Sequence, residues 1–331
     1  NDLALFFKLE GIKKMNKLNN NEALQITTVM PTMKKSLLAL AVAGTMAMSG
    51  GAFSLTLTEN DVWNDSDGGV LNAPSAADAV ALAAYTMTIN DIGDSVAVGA
   101  VTTAGAGDVT VTTLTASTSV AATIASIAST GTTGGDGDIL VTSLDADNAS
   151  SVSLTVTGAL STAAGDVTLT NAEASVDSAI TMTVGGAFLS ETVVVTGAAG
   201  DGAGGSTSTL TFAGATVASD TYTLNDATAG TIGVATLGFN GTVAQTVTGD
   251  VIAGGDGEGV ISITNTHASG VTFTDLLGVE DTGLGSISIA SGSKLTQNAA
   301  GASDALTFDV VGNVDDGSAG RGGTLVISGG A

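Results

Sequence analysis

The chain has 331 residues, of which 32 are acidic and only 8 are basic, and it contains 46 glycines, one histidine and no cysteine. A cysteine nucleophile and a Cys/His zinc site therefore lack their usual residues, and a catalytic triad has only His267 to draw on. The formal net charge of −24 repels phosphate groups, which argues against nucleic acids and anionic membranes as partners.

Residues 33–52 have the pattern of a secretory signal peptide. Two lysines after Met33 are followed by an apolar stretch from Leu37 to Ala43 and then by small residues that end at Ala52. This order of basic, apolar and small residues predicts export, with cleavage near Ala52. The apolar stretch is too short to span a membrane, and no later run of about 18 apolar residues predicts a transmembrane segment. Residues 1–32 are interpreted as an unrelated upstream extension.

Cleavage after Ala52 would leave a strongly acidic mature chain. Three of the 32 acidic residues precede residue 53, so 29 remain against Lys294 and Arg321, a formal net charge of −27. Divalent cations are the natural partners of such a surface. The lack of cysteine is compatible with secretion, because a chain of this size can rely on its core instead of disulfides.

Residues 53–100 are predicted to form an N-terminal region with a capping helix. Pro74 is followed by Ser75 and Asp78 at the spacing of a capping box, and then by an alanine-rich stretch that ends at Tyr85. A helix over Ser75–Tyr85 would cover one end of the β architecture that follows.

Residues 101–331 are predicted to form a repetitive β-solenoid, similar to a parallel β-helix. Valine, isoleucine and threonine alternate with period two, which is typical of strands. A turn-and-strand unit at Asp108 recurs at Asp138 and Asp166, 30 and then 28 positions apart. A unit of about 30 residues cannot bury its own apolar face, but stacked units bury one continuous column. The inward residues predicted from this period are Val109, Val111, Ile139, Val141, Val167 and Leu169.

Tandem β-sandwiches are the alternative fold, because their strands also recur every 8–12 residues with turns between them. Sandwich cores usually contain a large aromatic residue. Only 3% of this sequence is aromatic, and Trp63 lies outside the repeating region. Small inward residues favour the narrow interior of a solenoid.

Residues 210–290 resemble the repeats of autotransporter-type passenger domains and rickettsial-type surface-layer antigens. The similarity is carried by residues 237–250, 257–265 and 270–273, which combine glycine-rich turns with alternating strands. It implies a secreted or cell-surface repeat protein, and it concerns architecture and location more than ancestry. The strand pattern of an autotransporter translocating domain is not evident, so we expect either a fragment or another export route.

Two glycine-rich turns, residues 134–138 and 254–259, approach the calcium-binding nonapeptide repeat without matching its register. Clustered carboxylates and turn carbonyls supply the hard oxygen ligands that calcium accepts. Solvated turn acids without a bound metal are the alternative. The candidate calcium ligands are Asp136, Asp138, Asp201 and Asp256.

Other motifs are weaker. Residues 200–205 satisfy the G-x-G-x-x-G pattern, but the sequence that follows predicts a strand and not the helix that would receive a pyrophosphate. His267 lies in a predicted turn without a second histidine or cysteine. The pairs Asp136/Asp138 and Asp315/Asp316 have the residue type of glycosidase carboxylates, but few aromatic and basic residues are present to recognise a sugar.

These features predict a secreted cell-surface structural protein, a rigid acidic scaffold of a surface layer, filament or coat, with no catalytic residues and no certain cofactor. Two alternatives come from other classes: an adhesin that binds a ligand through solenoid loops, and a polysaccharide-active β-helix enzyme. We expect self-association or contact with other surface proteins, with strand addition at Thr324–Ile327.

Overall fold

The computed structural model describes residues 54–56, 61–63, 79–83, 85–90, 96–103, 107–113, 120–132, 136–143, 151–171, 178–198, 205–226, 233–279, 283–298, 308–310 and 324–327. The named elements in these ranges are all β-strands, and they belong, apart from Ser54, to one compact unit, Leu55–Ala331. The strands are β1 (Ser54–Thr56), β2 (Asp61–Trp63), β3 (Ala79–Ala83), β4 (Met87–Asn90), β5 (Val96–Thr103), β6 (Val109–Thr113), β7 (Val120–Ser129), β8 (Ile139–Ser143), β9 (Ser151–Val156), β10 (Leu160–Thr162), β11 (Val167–Asn171), β12 (Ala179–Val184), β13 (Phe188–Ser190), β14 (Thr192–Thr196), β15 (Thr207–Phe212), β16 (Thr216–Asn225), β17 (Ala235–Phe239), β18 (Gln245–Ala253), β19 (Glu258–Ile263), β20 (Val271–Phe273), β21 (Leu284–Ile289), β22 (Lys294–Gln297), β23 (Phe308–Val310) and β24 (Thr324–Ile327).

The strands stack in three parallel ladders, A, B and C, which the chain visits in this order on the turns from β4 to β20. Ladder A contains β2, β4, β6, β8, β11, β14 and the second halves of β16 and β18. Ladder B contains the first halves of β5 and β7, then β9, β12, β15, β17, β19, β21 and β23. Ladder C contains β1, β3, the second halves of β5 and β7, β10, β13, the first halves of β16 and β18, β20, β22 and β24.

This architecture is a β-solenoid, as the sequence predicts. Leu154 pairs with Met182 and Met182 with Leu210, so one turn of this part of the solenoid takes 28 residues. The pairings between named strands are parallel, which a β-sandwich of consecutive hairpins does not produce. The sandwich alternative is therefore wrong.

One apolar column fills the interior. The six residues predicted to point inward are at most 1% exposed, so this prediction is confirmed. Burying each such aliphatic side chain stabilises the fold by roughly 1.5–3 kcal/mol. The inward side chains of each turn are covered by those of the turn before and the turn after. The stability of each turn therefore depends on its neighbours.

Four phenylalanines form a stack inside the column that the low aromatic content does not predict. Phe188, Phe212, Phe239 and Phe273 follow one another with ring centroids 4.7, 5.6 and 5.2 Å apart. Pairs at such distances add to the stabilisation from buried area. Four of the eight phenylalanines of the chain thus lie in one part of the core.

The helix predicted over Ser75–Tyr85 is wrong where the structure describes it. Residues Ala79–Ala83 form β3, which pairs with β5 through Val80 and Val101, and Ser75 and Asp78 lie outside the described residues. Val80 and Leu82 are buried, so the stretch has a period-two face. Pairing with the neighbouring turn overrides the helix propensity of its alanines.

The turns that lead from ladder B to ladder C stack glycine on glycine. Gly158, Gly186 and Gly214 follow one another at intervals of 28 residues, and a Cβ built at Gly214 would overlap the carbonyl oxygen of Gly186. The Gly186 amide donates to the Gly158 carbonyl at 2.8 Å. We call these three residues the glycine corner. It keeps successive turns in close backbone contact at the ends of β9, β12 and β15.

Candidate functional site: an aspartate column

A column of polar residues lies immediately before the strands of ladder A. The strand register aligns Asp108 with Asp138, Asp138 with Asp166, and Asp166 with Thr192. Each of the three aspartates occupies the last position of the turn that leads from ladder C to ladder A, and Thr192 is the first residue of β14. We call Asp108, Asp138 and Asp166 the aspartate column.

Each carboxylate of the column accepts a hydrogen bond from the backbone of the next turn. Asp108 Oδ1 accepts from the Asp138 amide at 3.1 Å, and Asp138 Oδ1 accepts from the Asp166 amide at 2.9 Å. Asp166 Oδ1 accepts from both the amide and the Oγ1 hydroxyl of Thr192, at 3.1 and 2.7 Å. The column therefore continues the inter-turn hydrogen bonding of ladder A into the corner, where free amides would otherwise face solvent.

The column also stacks negative charge. Burial raises the pKa of Asp108 above its ordinary value, the hydrogen bond from the Asp138 amide opposes this shift, and the nearby Asp138 and Asp136 carboxylates add to it. A carboxylate that is partly desolvated next to like charges takes up a proton more readily than a free one. A proton or a cation at Asp108 would therefore relieve electrostatic cost.

The three calcium candidates that the structure describes do not converge on one site. Asp136 and Asp138 share one turn, where Asp136 Oδ2 accepts from the Thr132 amide at 3.2 Å and Asp138 belongs to the aspartate column. Asp256 is exposed in the turn between β18 and β19, at a different corner. Asp201 lies outside the described residues. Among the residues that are described, no group of three or more His, Cys, Asp or Glu side chains forms a metal cage, and calcium binding stays a prediction.

A buried carboxylate that the sequence did not single out joins two successive turns. Asp226 is 8% exposed. Its Oδ1 accepts from the Ala235 amide at 2.7 Å and its Oδ2 from the Gly259 amide at 2.9 Å, while its own amide donates to Glu258 Oε2 at 3.2 Å. These bonds make Asp226 a structural clamp at the corner between ladders A and B. The only sequence signal is its position directly after a strand.

The backbone and the imidazole of His267 both form hydrogen bonds within their own turn. Its amide donates to Asn265 Oδ1 at 2.7 Å, and its Nδ1 accepts from the Ser269 amide at 3.1 Å. The Gly270 amide closes the turn by donating to the His267 carbonyl. The imidazole therefore stabilises the turn, with one ring nitrogen already engaged.

A shallow groove of about 600 Å³ follows the glycine corner. Its lining comes from the turns around Gly186, Gly214 and Gly241 and includes only glycine, alanine, threonine, asparagine and valine. No titratable side chain lines this groove, so it supplies no general acid or base. The carboxylates described above lie at other corners.

The fold defines the class of protein: it is a parallel β-solenoid with three ladders. No protein-family model, no curated protein and no solved structure matches this chain. In the described part of the chain, no helix has the length and apolar character needed to cross a membrane.

Proposed function

We propose that this protein is a secreted structural protein of the cell surface, a rigid acidic scaffold in a surface layer, filament or coat. The observation that carries the proposal is the continuity of the three ladders over one apolar core: ladder A runs from β2 to β18, ladder B from β5 to β23 and ladder C from β1 to β24. A chain built as a stack of turns is suited to span distance, because its length grows with every turn while its cross-section stays constant.

The distribution of polar groups supports the same role. Inward positions are aliphatic, outward positions of the ladders are mostly threonine and serine, and the carboxylates described above lie at corners. Aspartate side chains at two of these corners bind the backbone of adjacent turns, which stiffens the stack. The net charge of −24 keeps isolated rods apart, and divalent cations would reduce this repulsion.

Assembly and surface location are the direct tests. The chain, freed of residues 1–52, should form ordered filaments or sheets in electron micrographs, and calcium should promote them more than sodium at equal ionic strength. Antibody labelling of intact cells should detect the protein at the surface. A monomer at every concentration, with or without calcium, together with saturable binding of a glycan or protein ligand, would favour the adhesin alternative.

A further inference from the structure

The outward side of ladder B carries two rows of hydroxyl groups. In the first row Ser153 pairs with Thr181, Thr181 with Thr209, and Thr209 with Thr236. In the second row Thr155 pairs with Thr183, and Thr183 with Thr211. We call these residues the threonine face; they are Ser153, Thr155, Thr181, Thr183, Thr209, Thr211 and Thr236.

The hydroxyl groups of this face are not used by the fold. None of them has a hydrogen-bond partner among the described residues, in contrast to the carboxylates of the aspartate column. β9, β12, β15 and β17 also contain no charged residue, although the chain carries a net charge of −24. The threonine face is therefore a neutral surface whose methyl and hydroxyl groups are available to a ligand.

The array is regular in two directions. Neighbouring strands of a ladder lie about 4.8 Å apart, and alternate residues of one strand lie about 6.6 Å apart. The register from β9 through β12 to β15 has no shift. Threonine is branched at Cβ and stiff at χ1, so identical residues in identical backbone positions repeat the same methyl and hydroxyl positions.

The glycine corner holds this regularity in place. It lies at the end of β9, β12 and β15, directly after the threonine face, and its backbone contacts leave no room for side chains. The Thr157 amide donates to the Ile124 carbonyl at 3.0 Å, and the Ala213 amide donates to the Val184 carbonyl at 2.9 Å. Inter-turn hydrogen bonding therefore continues past the strand ends. The spacing of the two rows is thereby fixed before any ligand is present.

We propose that the threonine face binds ice. A neutral face without a cavity offers little to an ion or a small molecule, whereas a rigid two-dimensional array matches a ligand that is itself periodic. Both repeats of the array lie close to the oxygen repeats on the surfaces of hexagonal ice. Hydroxyl groups can join the lattice by hydrogen bonds, and the intervening methyl groups order the water next to them. This inference does not depend on the proposed scaffold role.

The experiment compares the full chain with matched threonine variants. Thr181→Tyr and Thr209→Tyr place a bulky ring in the middle of the face. Thr168→Tyr places the same ring at an outward position on ladder A that is half-buried, as Thr209 is. The readouts are thermal hysteresis in a nanolitre osmometer and partition of the protein into a growing ice crystal. We expect the full chain to arrest ice growth, the two face variants to lose most of this activity, and Thr168→Tyr to keep it.

Circular dichroism and melting temperature show whether each variant is folded, and Thr181→Val, which keeps the shape of the side chain, replaces any Tyr variant that is not. Three results would overturn the proposal: a folded full chain that neither arrests ice growth nor enters ice, equal losses in the face and control variants, or face variants whose only change is the loss of multimers in light scattering. The last result would make this surface an interface between copies of the chain.

Discussion

The aspartate column and the threonine face overlap on two turns of the solenoid, those of β8–β9 and β11–β12, and use polar side chains in opposite ways. The carboxylates of Asp108 and Asp138 accept hydrogen bonds from amides of the next turn. These bonds stabilise the stack of turns. The hydroxyls of Thr183 and Thr211 form no hydrogen bond within the part of the chain that the structure describes. The backbone around them is already paired within ladder B. The carboxylates of this corner are therefore structural, whereas these mid-ladder hydroxyls take no part in the inter-turn bonding that the structure describes.

The largest effect should come from breaking the core that both regions share. Val141 is fully buried in ladder A, so Val141→Asp should lower the free energy of unfolding by about 3–5 kcal/mol, because it buries an unpaired charge. Thr110→Asp, at an outward position of the same ladder, should cost less than about 1 kcal/mol. Urea unfolding followed by circular dichroism measures both, and equal costs would show that the inward register is wrong.

A side chain at the glycine corner should disturb the spacing on which the threonine face depends. Gly214→Ala brings a methyl group onto the backbone of Gly186 and should cost about 1–3 kcal/mol through overpacking. Ala215→Ser, at the exposed neighbouring position, should change stability by less than about 0.5 kcal/mol. Melting curves of the two variants provide the test. A neutral Gly214→Ala would mean that the corner has room to relax.

The direct comparison of the two regions uses one residue from each. Asp138→Ala removes the acceptor of the Asp166 amide and should cost about 1–2 kcal/mol, since that amide loses its partner. Thr183→Ala removes a hydroxyl without a described partner and should cost less than about 0.5 kcal/mol. Chemical unfolding at neutral pH measures the pair, with Asp138→Asn as the control that keeps an acceptor oxygen. The reverse order would contradict the distinction between corner and face.

The smallest effect concerns the pH dependence of the aspartate column. Because the pKa of Asp108 is raised in the folded state, the folded chain binds this proton more readily than the unfolded chain. The contribution of Asp108 to stability therefore rises as the pH falls from neutral towards about 4. The difference in unfolding free energy between the wild type and Asp108→Asn should shift in favour of the wild type over this range. A pH-independent difference would show that the folded state does not perturb this carboxyl.

Some of this organisation follows from local pattern alone. Alternation of valine or leucine with threonine fixes which residues face inward, because side chains of a strand point to opposite sides in turn. The recurrence of a Gly-Asp turn before ladder A at Asp108, Asp138 and Asp166 indicated stacked turns. The calcium candidates were drawn from the same carboxylates, but the sequence alone could not show that the Oδ1 atom of Asp138 is already bound to an amide.

The local sequence pattern could not predict how successive turns align. Along ladder B the partners Ala122, Leu154, Met182, Leu210 and Leu237 are separated by 32, 28, 28 and 27 residues. Loops at the corners absorb these differences, so a fixed period misplaces the threonines relative to one another. The strand β7 adds a second difficulty, because its two halves belong to ladders B and C although the sequence reads as one continuous strand.

The sequence by itself predicted the β-solenoid and the inward side of the strands that begin at Val109, Ile139 and Val167, since both depend on the period of apolar residues and on the recurrence of turns. Only the tertiary structure decided that Ala79–Ala83 is a strand, that the carboxylates of the column bind the next turn, and that seven hydroxyl side chains from four strands form one face. These features arise from contacts between residues about 28 positions apart. Such contacts depend on how each corner loop closes, and local propensity carries no information about that closure.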